Sequence, residues 1–172
     1  MKNLDKRNEI IEYSLKLNST NLSPLRSGNI SVRTKEDNKD GYLITPSGKK
    51  YETLKSEDIV FMGLNEETEN NESINKPSSE WRFHRDIYLN RKDAQAIVHA
   101  HSPHATAVSS HGKPIPPFHY MIALAGGDDI KCAEYATFGT KELSQNIIKA
   151  LKNRSACLMS NHGQVAFGKN LD

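Results

Sequence analysis

The chain has 172 residues, with 23 basic and 21 acidic side chains and a formal net charge of +2. That length fits one domain able to bury roughly two-thirds of its unfolded surface, and the evenly mixed charge leaves no basic stripe for nucleic acid. No apolar run approaches a membrane span, residues 1–7 are charged and lack a signal-peptide core, and Cys132 and Cys157 have no metal-type spacing, so a soluble cytoplasmic protein with reduced thiols is expected.

The apolar spacing of Ile10, Ile11, Leu15 and Leu17 predicts an opening helix over residues 5–17. Residues 18–24 carry turn chemistry. Gly28-Asn29 opens a strand over 30–33, residues 35–41 read as a polar hairpin loop, and 42–45 as the returning strand, broken by Pro46-Ser47-Gly48. A third strand is expected over 58–62. Residues 63–77 are rich in Asn, Glu and Ser and read as a solvated connection. Ser78 or Ser79 then caps a helix from about residue 80 to 90, with Trp81, Phe83, Ile87 and Tyr88 available to pack. A β-branched strand over 96–101 follows, then a short helix over 102–110. Thr140 caps a further helix that places Leu143, Ile147 and Leu151 on one face. Strands over 156–159 and 164–167 close the pattern, joined by the turn Asn161-His162-Gly163. Strands mixed with helices, and hairpins at both ends, predict an α/β or α+β layer on a mainly antiparallel sheet.

His99 and His101 stand two apart in the strand 96–101, so both imidazoles face the same side. His162, delivered by a turn, can complete a three-histidine set of the kind that holds a catalytic zinc with one open position. Two hydrogen-bonded buried histidines are the other reading of His99 and His101 taken alone. Ser78 and Ser79, at a helix start, offer hydroxyls and free backbone N–H groups suited to phosphate, with Glu80 in the first turn; a plain helix cap is the other reading. The loops at residues 26–29 and 45–48 are similarly small, polar and glycine-containing, and each alone is also an ordinary turn.

The stretches SGNISVR, LITPSGKKYE, KPSSEWRFH, AIVHAHSPHATAVS, HYMIALAGG, EYATFGTKELS and the NHG turn run in order from residue 27 to the end. In these the chain resembles the zinc-dependent class II aldolase/adducin family. PSSEWRFH, HYMIA and YATFGT match its aldolase branch, as does Glu80, rather than Asp, after the paired serines. The resemblance implies a three-layer α/β/α sandwich on a mainly antiparallel central sheet, forming a single domain over residues 1–172 that lacks the family's C-terminal helices. It implies one zinc per chain on His99, His101 and His162, with Glu80 as both resting ligand and acid/base. It implies phosphate binding by Gly28, Asn29, Ser47, Gly48, Ser78 and Ser79, and a wall near the aldehyde at Phe138. It implies a homotetramer with sites at subunit interfaces, in which Tyr120 serves a neighbour's site as a proton donor. Position 26 is Arg, where the family offers a small hydroxyl residue.

The implied activity is cleavage of a (deoxy)ketose 1-phosphate, such as L-fuculose 1-phosphate, to dihydroxyacetone phosphate and a small aldehyde. The chemistry suits the residues: a Lewis acid stabilises the enediolate charge, a carboxylate moves the proton at C3, and a fixed phosphate holds the reacting carbons in place. The same scaffold also serves pentulose-phosphate 4-epimerases, sugar-acid phosphate decarboxylases and non-catalytic adducin-like modules. A phosphate-sugar binder without turnover is a further alternative.

Overall fold

The computed structural model describes residues 1–65 and 75–172. Its helices are α1 (Leu4–Ser19), α2 (Trp81–Asn90), α3 (Pro103–Ser109) and α4 (Lys141–Ala150). Its strands are β1 (Asn29–Glu36), β2 (Lys39–Ile44), β3 (Val60–Gly63), β4 (Ala96–Ala100), β5 (Cys132–Ala133), β6 (Ala156–Met159) and β7 (Gly163–Gly168). They build one seven-stranded sheet in the order β3-β2-β1-β4-β7-β6-β5. Neighbours pair antiparallel except β5 and β6, which run parallel. The sheet is therefore mixed, and its parallel edge strand is too short to leave a pattern in the sequence. Among the described residues no helix is long and apolar enough to cross a membrane.

The period-2 alternation of the strands feeds two separate cores. Ile30, Val32, Leu43 and Ile59 pack with Ile10 and Leu17 of α1 on one face. Tyr42, Ile44 and Ile97 pack with Phe83 and Ile87 of α2 and with Leu143 and Ile147 of α4 on the other. Helices on both faces give three layers, α/β/α. His99 shares the parity of Ile97, so it is turned toward α2, and its ring meets Phe83 edge-on at 5.6 Å between centroids.

Three local expectations change. The 35–41 loop shrinks to a two-residue turn, because Asp37 and Asn38 both take left-handed backbone (φ 48° and 63°), which short Asx side chains tolerate. Lys35 then pairs with Asp40 and Glu36 with Lys39, lengthening both strands. The third strand begins at Val60, since residues 56–58 form a 3-10 turn. Neither Ser78 nor Ser79 occupies the cap of α2; Glu80 does, with no side-chain bond to the helix. Of the expected 63–77 connection, residues 66–74 lie outside the described residues. Its last part is tied down: Pro77 bridges Pro46, Ser47 N–H donates to Lys76 O at 2.9 Å, and Ser78 N–H donates to Thr45 O at 3.0 Å.

Candidate functional site

Those last bonds bring two separate loops side by side. Thr45 continues the zip, its N–H donating to Ile30 O and its hydroxyl accepting from Ile30 N. The start of β1, the end of β2 and the entry to α2 thus lie together at one end of the strands. Gly28, Asn29, Ser47, Gly48, Ser78 and Ser79 line one cleft of about 370 Å³ there, together with Glu80. Arg26 lines the same cleft with left-handed backbone at φ 60°, its guanidinium 3.9 Å from Glu52. Lys49 also lines it but is paired with Asp58. At Gly28 a Cβ would fall 2.5 Å from His99 O, so the loop passes too close to β4 for any side chain.

His99 is the next-to-last residue of β4 and faces α2, His101 lies just beyond the strand, which stops at Ala100 and not at 101, and the 161–163 turn brings His162 to them. One ligand nitrogen of each lies within 4.8 Å of the others. Gly163 makes this approach possible: a Cβ there would sit 2.5 Å from Ala100 O. Glu80 reaches the cluster from the cap of α2. Its Oε2 is 3.1 Å from His99 Nε2 and accepts from Asn29 Nδ2 at 2.9 Å; its Oε1 is 3.3 Å from His162 Nε2. The cap position frees the carboxylate from the helix, which is why the first-turn reading of Glu80 does not hold.

The donor set fits a divalent cation. His99 Nδ1 donates to Gln164 O at 2.8 Å, which turns Nε2 toward the cluster as the nitrogen able to ligate. That nitrogen is 2.9 Å from His101 Nε2 and 3.1 Å from Glu80 Oε2, so three ligand atoms converge on one point. Burial, then the neighbouring His99 and His162, lower the His101 imidazole to about 4, so at neutral pH the ring is uncharged and can offer a lone pair to a cation. Burial also lowers His162. Burial by itself would raise Glu80, but His99, His162 and the Asn29 amide outweigh it and hold the carboxyl at about 2. Glu80 Oε1 is buried and accepts no hydrogen bond among the described residues. A buried anionic oxygen and converging imidazole lone pairs are the ligand chemistry of a metal site.

A second cleft opens on the other side of Glu80, lined by Ser79, His101, His162, Tyr135 and Phe138. Tyr135 there is a residue the sequence reading did not single out; its aromatic type three positions before Phe138 was the available signal. Tyr120 lies in neither cleft. It is exposed beside Phe118 and His119 in a separate surface hollow. His84 was also missed. It is fully buried against Asn29 and Ser31, and a lone helical histidine carries no signal for that placement.

The family profile described as Class II Aldolase and Adducin N-terminal domain matches residues 8–172. The chain is 49% identical over 164 residues to the L-fuculose phosphate aldolase of Escherichia coli O6:H1, covering 95% of this chain and 73% of that one. It is 45% identical over 165 residues to the 5-methylthioribulose-1-phosphate/5-deoxyribulose-1-phosphate aldolase of Rhodospirillum rubrum, covering 96% and 72%. A solved structure titled L-fuculose 1-phosphate aldolase superposes with a TM-score of 0.88 at 43% identity, covering 96% of this chain and 76% of that one.

Proposed function

The chain belongs to the class II aldolase and adducin family and is a lyase of the aldolase type, and on that premise we propose that it cleaves a (deoxy)ketose 1-phosphate such as L-fuculose 1-phosphate to dihydroxyacetone phosphate and a small aldehyde. Zinc is the ion proposed for His99, His101 and His162, with Glu80 as its fourth ligand before substrate arrives. The observation that carries this reading is the position of Glu80. It stands between a hydroxyl- and glycine-lined cleft and an aromatic-walled one, with both oxygens at the histidines.

The first cleft receives the phosphate. Ser47, Ser78 and Ser79 offer hydroxyls, and Gly28 and Gly48 let backbone approach the anion. That anchor sets the reacting carbons over the histidine cluster. A divalent ion bound there supplies Lewis-acid stabilisation of the negative charge that develops on the ketose oxygens. In cleavage the C4 hydroxyl loses its proton, the C3–C4 bond breaks with its electron pair remaining on the phosphate half, and C3 gains a proton. Glu80 is the group beside C3, and its carboxyl serves that transfer in either direction. Phe138 and Tyr135 form the apolar wall on the aldehyde side. The proton at the aldehyde oxygen is assigned to Tyr120 of a neighbouring copy, within a homotetramer. Support comes from exposure: Phe118, Tyr120 and Leu124 are 75%, 80% and 73% exposed on one short segment, an apolar surface suited to burial against another chain.

The test is incubation of purified, metal-loaded protein with L-fuculose 1-phosphate and with 5-deoxyribulose 1-phosphate, assayed for dihydroxyacetone phosphate. Release from either supports the proposal and ranks the aldehydes. No release from both, or an epimerised or decarboxylated product from a sugar phosphate instead, overturns it.

A further inference from the structure

Behind Glu80 a line of buried polar groups runs across β1 into α2. Asn29 Nδ2 donates to Glu80 Oε2 at 2.9 Å. Asn29 Oδ1 lies 2.5 Å from His84 Nε2. His84 Nδ1 lies 2.7 Å from Ser31 Oγ, and Ser31 Oγ lies 2.9 Å from the Tyr88 hydroxyl. Asn29, Ser31, His84 and Tyr88 are all buried. Register explains the line: Asn29 and Ser31 are two apart in β1 on the α2 face, and His84 and Tyr88 are four apart on α2.

The polarity of this line is forced from one end. The Glu80 carboxylate accepts only, so Asn29 must turn its NH2 toward it and its carbonyl oxygen toward His84. That oxygen also accepts only, so His84 must carry its proton on Nε2. Burial keeps the ring neutral, lowering it to about 3, so Nδ1 is an acceptor. Ser31 therefore donates to Nδ1, and Tyr88 donates to Ser31. The opposite tautomer would leave Asn29 Oδ1 against a lone pair and favour a flipped amide, setting two oxygens against each other at Glu80.

We propose that His84 is a positioning residue: through its Nε2–H it fixes the Asn29 amide, which pins Glu80 Oε2 where it meets His99 and so sets the carboxylate with Oε1 toward His162. The catalytic consequence rests on the aldolase reading above; the hydrogen-bond polarity does not. Simple core packing is the competing role, since His84 also stacks on Phe83 at 4.6 Å between centroids.

Two measurements separate the roles. First, long-range proton–nitrogen NMR on metal-free wild-type protein, with the His84 signal assigned by its loss in His84→Gln, is expected to show a neutral Nε2–H tautomer from pH 5 to 8. An Nδ1–H tautomer or an imidazolium in that range overturns the proposal. The signal can equally be assigned through the backbone by triple-resonance experiments on wild type, so this measurement stands even if a variant fails to fold. Second, His84→Gln keeps an N–H near the Nε2 position, whereas His84→Asn keeps a polar group only near Nδ1. Substituting a group that orients a ligand typically costs roughly 10–100-fold in activity or metal affinity. His84→Asn is therefore expected to lose about that factor in kcat or in zinc affinity by chelator competition, with KM for the ketose phosphate unchanged within about twofold. His84→Gln is expected to recover most of the loss. Equal values for wild type, Asn and Gln overturn the proposal, as does equal impairment of both variants, which marks packing alone. If wild type shows no aldolase turnover, that reading falls, while the tautomer and the zinc affinities still decide the role of His84.

Discussion

Glu80 sits where a helix cap belongs, yet its carboxylate serves the imidazoles. Each oxygen lies within 3.3 Å of an imidazole nitrogen, and His99, His162 and the Asn29 amide hold the group ionised against the opposing effect of burial. Glu80→Gln is expected to stay folded and to keep much of its metal affinity, because three imidazoles remain. Turnover should fall by roughly 10²–10⁴, the worth of a positioned acid/base. A near-native kcat, measured as dihydroxyacetone phosphate release, would show that another group moves the proton. Arg26 makes a second residue-scale test. It lines the phosphate cleft and its recorded ion-pair partner, Glu52, is distant at 3.9 Å, so a phosphate would find its guanidinium available. Arg26→Thr is expected to raise KM for a ketose 1-phosphate by about tenfold or more with little change in kcat, since a charge-assisted bond is worth about 1.5–3 kcal/mol. An unchanged KM would place Arg26 outside phosphate recognition. At this scale the histidine triad was legible, because a two-residue period in a strand fixes a common face. His84 was not, because its partners Asn29 and Ser31 lie more than fifty residues away and only the sheet brings them near.

The elements that build the site are short turns held by close backbone approach. The 161–163 turn must come within a side chain's breadth of β4 to deliver His162, and Gly163 is the residue that permits it. Gly163→Ala forces a Cβ against Ala100 O, an overpacking that costs about 1–3 kcal/mol and moves His162 away from its partners. The expected outcome is a lower urea midpoint together with weaker zinc binding. A midpoint and affinity equal to wild type would mean that the turn relaxes freely. The sequence announced this turn and the hairpins by their Asn and Gly residues. It did not announce the zip between residues 45–47 and 76–78, because that pairing joins segments with no strand pattern of their own. The three small polar loops read as separate turns only until the sheet gathers them around one cleft at the ends of its strands.

Across the whole molecule, two cores on opposite faces of the sheet hold the site at the ends of its central strands. The aromatic segment 118–124 lies in a separate hollow with its large apolar side chains exposed. If Tyr120 completes a neighbour's site, oligomers mixed from inactive Glu80→Gln and inactive Tyr120→Phe chains should regain activity, since some interfaces then pair an intact Glu80 with an intact Tyr120. No recovery, in oligomers shown by mass spectrometry to exchange subunits, would place each complete site within one chain. An α/β or α+β layer on a mainly antiparallel sheet was legible at this scale from the mixture of strands and helices, and the three-layer sandwich from the family resemblance. The parallel edge at β5 was not, because two residues carry no period.

The central claim is that three histidines and Glu80 hold a divalent ion on which ketose-phosphate cleavage depends. It is tested most directly by stripping the protein with chelator and titrating zinc back while dihydroxyacetone phosphate release from L-fuculose 1-phosphate is followed. The account predicts loss of turnover on stripping and recovery that saturates at one zinc per chain, with no recovery in His101→Ala. Full turnover in the stripped protein, or recovery undiminished in His101→Ala, would contradict it.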